Sequence, residues 1–239
     1  MTRPPYLEPF VLSVPPAPRE RRGEVDFYLP EAAEPRPAVV FVHGGPVPAE
    51  LTPTPRDWPI YLGYGSAVAA RGVVGVTVDH GLHDVDAYPR AADNVAAAVD
   101  LARRDPRVDS SRVAVWFFSG GGMLISDWLR DPPAWLRCLA ATYPVLAPWP
   151  GTDVDGRFRA ADAVAKAGRI PIVLTKVGRE REEFAATVEG FLTAARDCGA
   201  NLKVIDVPDG QHGFDQLDHT DQSRAAVEQA LDSVLSHLL

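Results

Sequence analysis

A serine hydroxyl is a weak nucleophile at neutral pH, so serine-based acyl chemistry needs a base beside it and an acid that orients the base. Three segments of this chain carry the residue types for that chemistry. RVAVWFFSGGG (112–122) runs from a hydrophobic stretch into Ser119 and then three glycines. A serine at a sharp strand-to-helix turn stands above its sheet, Oγ exposed, with helix N-terminal amides beside it. Glycines directly after it let that helix approach closely. A phosphate-cradling loop is the rival reading, but G-x-G-x-x-G fails because these glycines are consecutive. VPDGQHGFD (207–215) holds His212 between two glycines, after the last strand-like run and before the last helix-like one. Such a loop reaches over the carboxyl ends of the strands, where reactive groups gather in open α/β sheets. FVHGGP (41–46) ends an earlier strand in two glycines whose amides can face a developing oxyanion. Pro46 has no N–H, so that donor is Gly44 or Gly45, and the second is the N–H of Gly120. His43 is read as shaping the loop and lining the pocket, not as the base.

The orienting acid must lie between serine and histidine in the chain. IPIVLTKVG (170–178) ends in glycine and Glu180 follows two residues later, which makes it the favoured acid. Glu182 and Glu183 compete, although acids in a first helical turn also suit the helix dipole. Asp153 and Asp155, after the preceding strand, are further alternatives. DHGLHDVD (79–86) gathers two histidines and three aspartates. Its spacing matches no standard metal-ligand pattern, so it is read as pocket wall, His83 included, or as solvated loop, with no metal.

These residues need elements to hold them. From residue 24 onward short apolar runs alternate with longer amphipathic ones, the pattern of a mainly parallel sheet covered on both faces. The strands expected are 38–45, 73–80, 112–119, 139–146, 170–178 and 201–209, with EVDFYLP (24–30) as an antiparallel edge strand. Helices are expected over 59–71, 89–104, 156–168, 181–199 and 220–239, with a short one after Ser119. The loop 46–58 is a candidate rim or lid. With 81–88 and 147–156 it should bound an open pocket, because 147–156 is too short for a large cap. Trp58, Tyr61, Trp149 and Phe214 are candidate pocket walls. Arg179 or Arg181 could hold a substrate carboxylate, although pairing with nearby glutamates at the surface is the plainer use.

Composition bounds the rest. The 239 residues are 46% hydrophobic and 23% charged, which suits one globular α/β domain over 24–239 behind a proline-rich lead-in at 1–23. The net charge of −8 argues against nucleic acid as a partner, since only RERR (19–22) is locally basic, and that run reads as solvated. No stretch approaches the ~20 apolar residues that cross a bilayer, and the N-terminus lacks the apolar core of a signal peptide. A cytoplasmic location is expected. Cys138 and Cys198 read as buried reduced thiols rather than a disulfide.

HGGP, FSGGG, VGRE and GQHGF, in this order and spacing, resemble the dienelactone hydrolase-like and carboxylesterase-like branch of the α/β-hydrolase superfamily, over most of residues 24–239. The resemblance implies an α/β-hydrolase fold with a mostly parallel eight-stranded sheet, a cofactor-free esterase reaction and a Ser–acid–His triad. It makes Ser119 the nucleophile, Glu180 the acid and His212 the base, with Gly45 and Gly120 as the oxyanion hole. The sequence departs from the pattern in three places. Phe117 stands where the usual motif has glycine, the acid is glutamate rather than aspartate, and the nucleophile is serine where dienelactone hydrolases proper use cysteine.

The expected function is therefore a serine esterase acting on small-molecule carboxylic esters of small to medium acyl groups. The same triad could serve acyl transfer, perhydrolysis or C–C bond hydrolysis. A non-catalytic ligand-binding member of the fold is the reading from another class. A homodimer is the one macromolecular partnership left open. Activity should fall as acid protonates His212, because an imidazolium cannot act as a base.

Overall fold

The computed structural model describes residues 3–149 and 151–239; Met1 and Thr2 of the lead-in and Pro150 of the 147–156 loop lie outside it. The β-branched runs form strands β1 (Arg19–Arg22), β2 (Val25–Tyr28), β3 (Arg36–Val42), β4 (Val74–Val78), β5 (Val108–Phe118), β6 (Leu136–Thr142), β7 (Ile172–Arg179) and β8 (Leu202–Gln211). They make one sheet of eight strands in the order β1-β2-β4-β3-β5-β6-β7-β8. β1 and β2 pair antiparallel with their neighbours, and every pair from β4–β3 to β7–β8 is parallel.

Period-2 alternation along the central strands feeds two separate cores. Val113, Val115 and Phe117 of β5 face one core, and Ala114, Trp116 and Phe118 face the other. The first core is covered by α2 (Tyr88–Arg104), α3 (Ile125–Arg130), the single turn α4 (Ala160–Ala163) and α5 (Glu182–Asp197). The second is covered by α1 (Pro59–Ala69) and α7 (Asp221–Leu235), with the one-turn α6 (Phe214–Leu217) above. Phe117 is fully buried beside Val42 of β3 and Ala141 of β6, and the small alanine makes room for its ring. The bulk at that position is absorbed by the sheet, without displacing the turn that follows.

Several expectations are corrected here. EVDFYLP is not an edge strand, because β1 lies outside it and all four residues of β2 are buried. The edge is RERR itself, which is no free solvated run: Arg21 grips the buried Asp26 through two 2.8 Å hydrogen bonds, Arg19 reaches Asp57 at 2.8 Å and Arg22 reaches Asp105 at 2.8 Å. A charged edge of this kind resists pairing with another sheet. The lead-in also joins the body earlier than residue 24, since Phe10 and Val11 are buried in the second core. The run 139–146 stops at Thr142, where Tyr143 takes φ +36° and Pro144 follows. The expected helix over 156–168 breaks into short turns, so the β6–β7 connection carries no large cap. Cys138 is buried as expected, but Cys198 is exposed just beyond α5. No helix among the described residues is long and apolar enough to cross a membrane.

Candidate active site

β5 ends at Phe118, and Ser119 takes φ +50°, a left-handed conformation that is costly for a residue with a Cβ. The chain turns at once into a 3₁₀ stretch, Ser119–Leu124, that leads into α3. The three glycines are required by close approach. A Cβ on Gly120 would lie 1.9 Å from the Gly45 carbonyl oxygen, and one on Gly121 would lie 2.3 Å from that of His43. A Cβ on Gly122 would meet Pro144 at 2.6 Å. The turn is thus wedged between the loops that follow β3 and β6, with Ser119 raised above the strand ends.

Across the sheet, β8 delivers His212 through Gly213, whose φ of +80° reverses the chain into α6. His212 Nε2 lies 2.6 Å from Ser119 Oγ, and its Nδ1 lies 2.6 Å from Oε2 of Glu180 at the end of β7. A carboxylate only accepts, so Nδ1 carries the proton and Nε2 presents a lone pair to the serine hydroxyl. The Glu180 side chain is only 6% exposed, and its other oxygen accepts the Arg181 N–H at 2.8 Å. The alternative acids do not reach His212. Asp155 caps the Arg157 N–H at 2.8 Å, Asp153 is exposed, and Glu182 and Glu183 sit in the first turn of α5.

Below the histidine lies a group that sequence reasoning does not identify. Asp215 is fully buried and accepts the hydroxyls of Tyr64 from α1 and Tyr143 from the β6 loop, each at 2.9 Å. Burial pushes its carboxyl up to about 7, with the two tyrosine hydroxyls acting in the opposite direction. The Tyr143 ring stands 4.9 Å from the imidazole of His212. The backbone N–H of Val11 donates to the Asp215 carbonyl at 2.9 Å, so the N-terminal segment ties down the same loop. The one sequence signal was an aspartate three residues beyond the histidine, and its partners lie 151 and 72 residues away.

Ser119 and His212 open onto a cleft of about 390 Å³, walled by Gly45, Trp58, Tyr61 and Tyr143 and by Pro5 and Tyr6 of the lead-in. The Tyr6 ring lies 4.9 Å from that of Trp58. Trp58 and Tyr61 therefore line the cleft, whereas four other expected wall residues do not. Phe214 is fully buried in the second core, against Tyr143, because α6 turns it inward. Trp149 borders a separate hollow with Glu182 and Glu183 and packs on Phe184, which in turn stands 5.7 Å from His212. His43 and His83 face a neighbouring cavity beyond the glycine loop. Loops 81–88 and 147–156 accordingly bound those flanking hollows rather than the cleft.

The glycine amides also divide. Gly44 N–H donates to the Tyr61 hydroxyl at 3.1 Å and so is not free to act as an oxyanion donor. Gly45 lines the cleft beside Ser119, and the buried Gly120 follows the serine directly. In the DHGLHDVD segment, Asp79 accepts from Arg56 Nε at 2.6 Å, while His80 stacks on His43 at 3.8 Å. Among the described residues no three His, Cys, Asp or Glu side chains are grouped to hold a metal. Arg179 faces Asp209 at 3.7 Å rather than a glutamate, and Arg181 lies over the Phe184 ring.

No protein-family model and no curated protein matches the chain. Solved structures do. Esterase Est2 of the planctomycete Thermogutta terrifontis superposes with a TM-score of 0.65 at 17% identity, over 93% of this chain and 92% of the esterase. The acetyl ester-xyloside bifunctional hydrolase of Caldicellulosiruptor lactoaceticus gives 0.69 at 15% identity, over 89% and 87%. Porphyromonas gingivalis dipeptidyl peptidase 4 gives 0.71 at 14% identity, over 90% of this chain, which spans only 33% of the peptidase. At these identities the likeness is one of fold, and the fold is that of the α/β-hydrolases.

Proposed function

We propose that this α/β-hydrolase-fold chain is a serine hydrolase that cleaves carboxylic esters of small to medium acyl groups. The observation that carries the reading is the unbroken relay of two 2.6 Å contacts, from Ser119 Oγ through His212 to Glu180. A cleft of about 390 Å³ suits acyl groups of modest size.

In this reading His212 Nε2 takes the Ser119 proton as Oγ attacks the ester carbonyl. Glu180 stabilises the resulting imidazolium without accepting its proton. The oxyanion develops against the amides of Gly45 and Gly120, each contributing about 2.7–4 kcal/mol in comparable sites. The tetrahedral intermediate collapses as the alkoxide leaves with the proton from His212. Water, deprotonated by the same imidazole, then attacks the acyl-enzyme and releases the acid and Ser119. Holding Ser119 in its left-handed turn before substrate arrives keeps the Oγ trajectory set in advance.

The test is covalent labelling with a fluorophosphonate, comparing wild type with Ser119→Ala and His212→Ala. Stoichiometric labelling of wild type and none of either variant is expected, together with hydrolysis of p-nitrophenyl acetate by wild type alone. A folded wild type that resists excess reagent and leaves the ester intact would move the non-catalytic binding reading to the front.

A further inference from the structure

Beyond the Gly44–Pro46 loop lies a second cavity of about 420 Å³, within the ~300–1,000 Å³ range of small-molecule sites. Its polar wall is built from Glu24, His43, Asp79, His83, Arg90 and Asn94, and Val47 lines both this cavity and the catalytic cleft.

The wall is dominated by unused acceptors. His43 is only 4% exposed, and its Nδ1 lies 2.5 Å from the Gly44 carbonyl. A carbonyl only accepts, so Nδ1 bears the proton and Nε2 offers a lone pair that meets no partner among the described residues. Burial pushes the ring down to about 4, which keeps it neutral and keeps that lone pair in place. His83 also directs its Nδ1 at the Val47 carbonyl at 2.9 Å, but the residue is exposed, so its Nε2 is open to solvent or to a guest in the cavity. Asn94 donates through Nδ2 to the His80 carbonyl at 3.0 Å, leaving Oδ1 as an acceptor. Thr54, also on the wall, carries a hydroxyl with no hydrogen-bond partner. His80 contacts the His43 carbonyl through Nε2 at 3.0 Å while its buried Nδ1 has no partner, and on the wall itself it is the Nε2 of the buried His43 that a purely structural role leaves unexplained.

Charge narrows the ligand. Asp79 is matched by Arg56 at 2.6 Å, and Glu24 meets the same guanidinium at 3.2 Å. Arg90 is a guanidinium on the wall itself, while Arg56 also meets Asp26 at 3.5 Å, a carboxylate that Arg21 holds at 2.8 Å. Near-balanced charge disfavours a strongly ionic guest. A neutral ligand with several hydroxyl donors satisfies the lone pairs, while Val47, Pro48 and Leu51 offer an apolar surface to its C–H face.

We propose that this cavity is a binding site for a polyhydroxylated group of the sugar or polyol class. Such a group has two sources: a free sugar, or the sugar portion of an ester whose acyl group lies at Ser119. The second source rests on the serine-hydrolase reading, whereas the first does not.

The experiment measures methyl glucoside binding by saturation-transfer NMR and calorimetry for wild type, His83→Ala and Leu51→Trp. The first variant removes an acceptor, and the second fills the cavity from its apolar side. Binding to wild type that weakens at least tenfold in both variants is expected. No binding to wild type, or equal binding to all three proteins, overturns the site. Tighter binding of tetramethylammonium or inorganic phosphate than of methyl glucoside overturns the assigned ligand class. A parallel assay compares 6-O-acetylglucose with p-nitrophenyl acetate. A tenfold drop in kcat/KM for the sugar ester alone assigns the cavity to substrate, and unchanged ratios with lost binding assign it to free sugar. If wild type cleaves neither ester and resists fluorophosphonate, the hydrolase reading fails while the binding arm still decides the site.

Discussion

Glutamate is one methylene longer than the aspartate usual in the triads that the sequence resembles, and in the proposed triad Glu180 reaches His212 from just beyond β7. β7 runs on to Arg179, and its last pairing, Arg179 with Gln211 of β8, brings the acid beside the histidine loop. One carboxylate oxygen is anchored by the Arg181 N–H and the other holds His212. Glu180→Gln keeps the size but turns an acceptor into a possible donor, which favours the imidazole tautomer with its proton on Nε2. A fall in kcat of about 10⁴-fold with KM little changed is expected from steady-state ester hydrolysis. A loss below tenfold would mean that another carboxylate orients the base.

At the scale of elements, the histidine loop is held from below by Asp215, which ties α1 and the β6 loop to it through Tyr64 and Tyr143. Asp215 titrates near 7 in the folded chain, well above an unfolded carboxyl. Between about pH 4 and 7 the folded state holds a proton that the unfolded state has lost. Its contribution therefore falls as pH rises through that window, and the full cost is present above it. His43, held near 4, acts in the opposite direction: its contribution rises with pH from about 4 to 6.5, because the unfolded imidazole binds the proton first. Asp215→Asn isolates the first effect. In urea denaturation its loss of stability relative to wild type should be smaller at pH 8 than at pH 5. An equal loss at both values would show that Asp215 is not the titrating group.

Over the whole molecule, the N-terminal segment is a working part of the domain. Phe10 packs on the flat surface left by Gly63 of α1, where any Cβ would meet its ring at 2.3 Å, and stands 4.7 Å from Tyr64. Tyr64 in turn holds Asp215, and Tyr6 a few residues earlier walls the cleft. Phe10→Ala should destabilise the fold by about 3–5 kcal/mol, read from chemical denaturation. It should also slow ester hydrolysis under conditions where the variant remains folded. A stability loss with undiminished kcat/KM would show that the segment supports the core without shaping the site.

What the sequence determined by itself was everything encoded locally. Apolar β-branched runs marked the sheet, the SGGG run marked the sharp turn that raises Ser119 above the strand ends, and glycines around His212 marked a loop able to cross those ends. Glu180 was legible because the end of a strand predicts where its next residues project. Tertiary structure alone decided the rest. The place of RERR in the sheet depends on Asp26, Asp57 and Asp105, partners that no local pattern names. Phe214 looked like a pocket wall from its place in the chain, yet a one-turn helix rotates it into the core. The Asp215 clamp and the division of His43 and His83 from the cleft arise from contacts between segments far apart in sequence. Local propensity and spacing write themselves into neighbouring residues; burial, charge pairing and cavity shape are set only when distant segments meet.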